Sequence, residues 1–272
     1  MTVGEWVTRA ETALAGKGFA SPRLEAQLLL AHARQESRSQ LLAALPAPLK
    51  GETEEMADRL LAERLLDKPI AYILGEREFF GRRFFVGPGV LVPRIETETL
   101  IEAALELPWT SALDVGAGSG CIAWTLAVER AGARIVALEV SAEAMAYAER
   151  NRAALAPHGD LRQSDGFAAV AGETFDLIIS NPPYIGRCEP LPVEVGDWEP
   201  EAALYAGEGG LAIYRRLASE APVFLAPGGH LIVEMGDGRC DEVSELFGAE
   251  GWTIAAVKPD LDGRPRALVL TR

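Results

Sequence analysis

The stretch ISNPPYIG, residues 179–186, follows the apolar run FDLIIS and places an amide, two prolines and a phenol at one corner of the chain. Asn181 precedes a proline and is pushed toward extended backbone, while Pro182 and Pro183 have fixed φ and no N–H. The corner is rigid and rich in acceptors. The side-chain oxygen of Asn181 and the carbonyl of Pro182 can each accept a hydrogen from one planar NH2 group, and Tyr184 offers a ring to cover that plane. An amide or an aromatic amine fits such a pocket. The nitrogen of either is a poor nucleophile because its lone pair is delocalised, so holding both hydrogens while aiming the nitrogen at an electrophilic methyl group is a catalytic device. A proline-stiffened loop without a substrate would use the same residues.

A second motif is LDVGAGSGCIA, residues 113–123. Gly116, Gly118 and Gly120, with Ala117 and Ser119 between them, let the backbone turn tightly after a strand and approach a ligand before the next helix. Dinucleotide sites more often space their glycines G-x-G-x-x-G, so that a pyrophosphate reaches the helix N-terminus. The G-x-G-x-G spacing suits S-adenosylmethionine, which carries no phosphate. About twenty residues on, Glu139 closes RIVALEV, where a carboxylate can accept from both hydroxyls of a ribose. In SDGF, Asp165 can accept from an adenine amino group while Gly166 or Phe167 lines the ring face. Taken singly, these are also an ordinary turn, a strand-end acid and a loop.

These residues need strands that end on one edge. Short β-rich runs alternate with helical patterns from about Glu96: SALDVG, ARIVALE, FDLIIS, GHLIVEM, WTIAAV and RALVLT. The alternation predicts a doubly wound α/β sheet, and the last two runs, too close for an intervening helix, predict an antiparallel pair. A mostly parallel seven-stranded sheet ending in such a hairpin resembles class I methyltransferases, a Rossmann-like layout. Upstream, Val3, Trp6, Val7, Ala10 and Leu14 follow helical spacing. Ser21 and Pro22 read as the start of a second helix, and a third covers about Glu52 to Asp67. EFFGRRFFVGPGVLVP reads as a hairpin and linker. The expected organisation is a helical domain over 1–75, a hairpin linker over 76–93 and a catalytic domain over 94–272.

The chain has 272 residues, 49% of them hydrophobic, and a formal net charge of −14. Up to Val92 there are 12 basic and 12 acidic residues, so the excess is confined to the remaining 14 and 28. An acidic catalytic part with no basic stripe repels a phosphate backbone, which argues against nucleic acid as partner. No run approaches the ~18 apolar residues of a membrane span, and a cytoplasmic protein is expected. Cys121, Cys188 and Cys240 are far apart, and His32, His158 and His230 never fall at ligand spacing, so neither a disulfide nor a metal site is expected.

NPPY and DVGAGSG, together with VPRIETE before the corner and WEPEAALYAGEGGLAIYRRL after it, resemble the bacterial release-factor glutamine methyltransferases, the HemK/PrmC family. The resemblance covers nearly the whole chain. It implies transfer of a methyl group from S-adenosylmethionine to the side-chain nitrogen of the glutamine in the Gly-Gly-Gln loop of class I peptide release factors, leaving S-adenosylhomocysteine. It maps the cofactor loop onto Gly116–Gly120, the ribose acid onto Glu139, the adenine side onto Asp165 and Gly166, and the substrate corner onto Asn181, Pro182, Pro183 and Tyr184. The chain departs from the usual pattern at Ile95 (Pro), Glu139 (Asp) and Gly166 (a large apolar residue), with Phe167 the expected substitute wall. Direct transfer is expected with no dedicated base, Glu96, Glu98 and Glu199 reading as structural acids. The helical domain is expected to dock the protein substrate, and the chain to act as a monomer. An adenine N6-methyltransferase would use the same corner, and a nicotinamide oxidoreductase or a non-catalytic adaptor the same glycine loop.

Overall fold

In a computed structural model, residues 1–207 and 209–272 are described. Five helices come first: α1 (Val3–Lys17), α2 (Pro22–Ala33), α3 (Arg38–Ala43), α4 (Gly51–Leu65) and α5 (Ile70–Leu74). A capping box starts α1, in which the Thr2 side chain accepts from the Glu5 amide and the Glu5 carboxylate accepts from Thr2 N. Ser21 stands at the N-cap of α2 with Pro22 inside the first turn, but its hydroxyl makes no cap hydrogen bond. The helices close over Trp6, Leu14, Leu29, Leu30 and Leu41, none measurably exposed.

Strands β1 (Glu76–Phe79) and β2 (Arg82–Phe85) form the expected hairpin, its turn made by Phe80 and Gly81, both at positive φ. Then follow α6 (Glu98–Leu105), β3 (Ser111–Val115), α7 (Cys121–Glu129), β4 (Arg134–Glu139), α8 (Ala142–Leu155), β5 (Asp160–Gln163) and β6 (Phe175–Ser180). Short turns α9 (Val193–Gly196) and α10 (Glu201–Leu204) precede α11 (Ala212–Glu220), β7 (Leu225–Glu234), α12 (Cys240–Ala249), β8 (Thr253–Pro259) and β9 (Pro265–Thr271).

The seven-stranded sheet has the order β5-β4-β3-β6-β7-β9-β8. Its first five strands run parallel, and β9 pairs antiparallel with both β7 and β8, as the missing helix between the last two runs required. Strand β5 was not among the apolar runs of the sequence. Its residues, DLRQ, are all partly exposed or exposed at the sheet's edge, so no alternation marks them. Side chains alternate between two cores: Ala112, Leu177 and Ile179 face α6 and α7, while Leu113, Ile178 and Leu231 face α11 and α12. Because β3, β4, β6 and β7 are parallel, Val115, Glu139, Ser180 and Glu234 all end on one edge, where open α/β sheets bind ligands.

The chain divides into two compact units, Met1–Gly75 with Pro192–Trp198, and Glu76–Leu191 with Glu199–Arg272. The helical unit therefore also takes in the segment carrying α9, a return that the contiguous boundaries read from the sequence do not contain. Two side chains of the helical unit hold it: the Arg64 guanidinium bonds Glu25 at 2.6 Å and Glu194 at 2.8 Å, and Lys68 Nζ lies 5.9 Å from the Trp198 ring centroid.

Candidate active site

The site is built from strand ends. At the end of β6, the Ser180 hydroxyl donates to Val115 O at 2.7 Å and ties the exit of β6 to that of β3. Asn181 follows, and its Nδ2 donates to Thr97 Oγ1 at 3.1 Å. Thr97 Oγ1 in turn donates to Glu234 Oε2, the last residue of β7, at 2.6 Å. Glu199, on the chain that returns past the corner, accepts from Val92 N at 3.0 Å and from the Arg94 guanidinium at 2.6 Å. Glu98 accepts from Phe80 N at 2.7 Å. Both acids hold backbone in place, consistent with their reading as structural.

At the end of β4, each oxygen of Glu139 accepts a backbone N–H: Oε2 from Gly118 at 2.7 Å and Oε1 from Ser141 at 2.8 Å. A carboxylate oxygen has two lone pairs, so capacity for a ribose diol remains. The same bond disfavours a phosphate, because Gly118 N, a donor it would need, already faces a carboxylate. Asp114, on the neighbouring strand β3, caps α7 by accepting from Ala123 N at 3.1 Å. Burial, reinforced by the Glu139 charge, pushes its carboxyl up to about 7.

A cavity of about 230 Å³ opens on this edge. Gly116, Ala117, Gly118, Ser119 and Glu139 line it from β3 and β4; Asp165, Gly166 and Phe167 line it beyond β5; Asn181, Pro182 and Pro183 line it from the corner. Gly120 and Tyr184 are not among the lining residues. A Cβ at Gly120 would stand 2.0 Å from the Trp124 indole nitrogen, so this third glycine makes room for Trp124, which donates to Ala148 O at 2.9 Å. The Tyr184 ring packs against Gly236, whose added Cβ would lie 2.8 Å away, rather than over the cavity. Burial pushes its hydroxyl up to about 12. Phe167 is buried and stacks on Phe224 with centroids 4.7 Å apart, so it backs the cavity as part of the core.

Motif spacing does not point to three further cavity or cavity-side residues. Arg216, on α11, pairs with Asp165 and covers Gly166; Thr97 and Glu234 hold Asn181. A usable signal existed only for Glu234, an acid ending the buried run HLIVE on the ligand edge. The arrangement is a mostly apolar slot with one carboxylate, Glu139, at its β4 end and a proline-stiffened corner with free acceptors at its β6 end.

Residues 5–75 match the PrmC N-terminal domain and residues 94–189 match the Methyltransferase small domain. The chain is 45% identical to the release factor glutamine methyltransferase of Cereibacter sphaeroides over 98% of its own length and 97% of that protein's. It is 43% identical to that of Koribacter versatilis, over 92% and 91%. Among solved structures, a methyltransferase from Pyrococcus furiosus is similar at a TM-score of 0.54, with 23% identity, over 78% of this chain and 98% of that one. A Thermus thermophilus 16S rRNA methyltransferase solved with AdoMet and guanosine is similar at 0.50, with 23% identity, over 72% and 48%. The two structures share the class I fold with this chain, and the two relatives match it almost end to end: the chain belongs to the release factor glutamine methyltransferase family.

Proposed function

We propose that this protein methylates the side-chain amide nitrogen of the glutamine in the Gly-Gly-Gln motif of class I peptide release factors. The observation that carries the reading is Asn181, held by its Nδ2 at the wall of the cavity with its Oδ1 left as an acceptor, in a chain so similar to release factor glutamine methyltransferases. When bound, S-adenosylmethionine supplies a methyl group activated by its sulfonium, and S-adenosylhomocysteine remains.

The protein's own residues orient and hold. Asn181 Oδ1 and the Pro182 carbonyl accept the two hydrogens of the glutamine NH2 and aim its nitrogen, while Pro183 stiffens the corner. Tyr184, packed on Gly236, anchors that corner from behind. Glu139 takes the ribose hydroxyls, Gly116 to Ser119 lie along the ligand, and Asp165, Gly166 and Phe167 flank the adenine. The N-methylated amide is strongly acidic while it still carries the extra proton, which leaves to water, so no base is assigned. Residues 1–75 dock the release factor, and the acidic charge beyond Val92 favours a protein over a nucleic acid as substrate. The protein acts as a monomer. None of its helices is long and apolar enough to cross a membrane among the described residues, which is consistent with action in the cytoplasm.

The test is incubation with methyl-labelled S-adenosylmethionine and separate pools of release factor, DNA and RNA. Label on one release-factor glutamine, located by peptide mass spectrometry, is expected; label on nucleic acid instead would overturn the reading.

A further inference from the structure

We propose that Thr97 and Glu234 form a relay that fixes which end of the Asn181 amide faces the substrate, making both of them positioning residues for methyl transfer. The proposal deepens the reading above and rests on Asn181 as the acceptor of the glutamine NH2.

An asparagine amide presents two nearly isosteric ends, an acceptor oxygen and a donor nitrogen, and a flip exchanges them. For a substrate NH2 the distinction is decisive, because only the oxygen can accept its hydrogen. Thr97 decides it. Its hydroxyl has one proton and two lone pairs, and it sits 2.6 Å from Glu234 Oε2 and 3.1 Å from Asn181 Nδ2. Thr97 and Glu234 are each 1% exposed, so water does not substitute for either partner. An ionised Glu234 can only accept. The Thr97 proton is then committed to it, a lone pair is left for Asn181 Nδ2, and Oδ1 is the end that remains for a ligand.

Protonation of Glu234 removes the bias. Its carboxyl could then donate to Thr97, whose own proton would be released to the Asn181 oxygen, and the flipped amide would be equally satisfied while meeting a substrate NH2 with its own NH2. Burial pushes Glu234 up to about 7, against the lowering influence of its bond to Thr97 and of the Arg266 and Arg94 charges. Glu96 is the acid whose charge adds to the upward push. The phenols of Tyr184 and Tyr214 and the thiol of Cys121 also face it; burial raises all three, and they stay neutral in this range. Tyr214 donates to the Glu234 carbonyl at 2.7 Å, which holds the strand end in place whatever the charge of its side chain.

The experiment is single-turnover methylation of an intact release factor, with saturating S-adenosylmethionine, across the pH range around 7, for the wild type, Thr97→Val, Thr97→Ser and Glu234→Gln. S-adenosylhomocysteine affinity and thermal melting are measured on each. The wild-type rate should rise with pH through about 7 to a plateau, and Glu234→Gln should lose that rise. Thr97→Val should be slower by about tenfold, the equivalent of about 1.4 kcal/mol, with the KM for release factor and the S-adenosylhomocysteine affinity little changed. Thr97→Ser, which keeps the hydroxyl, should restore most of the rate. If Thr97→Val does not fold, the pH profile of Glu234→Gln and the rate of Thr97→Ser decide alone. A rise unchanged in Glu234→Gln would assign it to another acid such as Asp114, and that result, or a folded Thr97→Val at wild-type rate, would overturn the relay. Wild-type protein that leaves no methyl on release-factor glutamine would instead overturn the underlying reading of the substrate.

Discussion

Arg216 lies against the backbone of Gly166, close enough that a Cβ built on that glycine would stand 2.4 Å from its Nη2. Gly166 is also at φ +57°, where a side chain is strained, so glycine and arginine occupy one position of the cavity wall between them. The Arg216–Asp165 ion pair is solvent-exposed and adds little by itself.

Gly166→Ala should therefore weaken S-adenosylhomocysteine binding and stability more in the wild-type background than in Arg216→Ala. A double-mutant cycle by calorimetry should return a coupling of about 1 kcal/mol. Additive effects would mean that Arg216 moves aside at no cost.

Glu139→Gln replaces one carboxylate oxygen by a donor facing a backbone N–H, of Gly118 or of Ser141. One buried donor is left unmade, at a cost of about 1–3 kcal/mol. S-adenosylhomocysteine affinity, read by calorimetry, should fall about tenfold or more, while Glu139→Asp, which keeps the charge on a shorter arm, should fall less.

Arg64 is 2% exposed and serves Glu25, Glu194 and Lys68 O while its guanidinium lies 3.8 Å from the Phe19 ring centroid. Arg64→Ala strands the Glu25 carboxylate and should lower stability by about 3 kcal/mol in urea denaturation. Arg9→Ala, which breaks an exposed pair with Asp58, should cost less than about 1 kcal/mol.

Asp114 gives a pH dependence of stability. Burial raises its carboxyl from the ordinary 3.8 to about 7, so between those values the folded protein holds more protons than the unfolded chain. The contribution of this group to stability falls as pH rises through that window and is level above it. Asp114→Asn, which resembles the protonated form, should gain on the wild type as pH rises from about 4 to about 7 in urea titrations. Glu234 is common to both proteins and cancels from the difference. A gap independent of pH would show that Asp114 is ionised throughout.

What the sequence made legible is what one strand end carries by itself. The glycine turn after β3, Glu139 at the end of β4 and the NPPY corner after β6 each announce themselves because an apolar run stops at a residue with chemistry. The relay from Asn181 to Glu234 was not legible, since Thr97 and Glu234 are 137 residues apart and meet only when the turn that leads into α6 packs against the end of β7. Arg216 over Gly166 is hidden for the same reason: it depends on how α11 packs across the sheet. The glycine spacing groups Gly120 with its ligand-facing neighbours, whereas in three dimensions it clears space for Trp124. The segment Pro192–Trp198 carries no sequence sign that it belongs with the helical unit, because what ties it there is side-chain contact across the fold, Glu194 with Arg64 and Trp198 with Lys68.

The proposed role of Asn181 in holding and aiming the substrate amide is decided by single-turnover methylation of a release factor by Asn181→Ala, with S-adenosylhomocysteine affinity measured on the same protein. Loss of one preorganised contact worth about 2–4 kcal/mol predicts a rate lower by roughly a hundredfold or more, with cofactor affinity changed far less. A rate near that of the wild type, with the methyl on the same glutamine, would contradict it and reduce NPPY to a stiff loop.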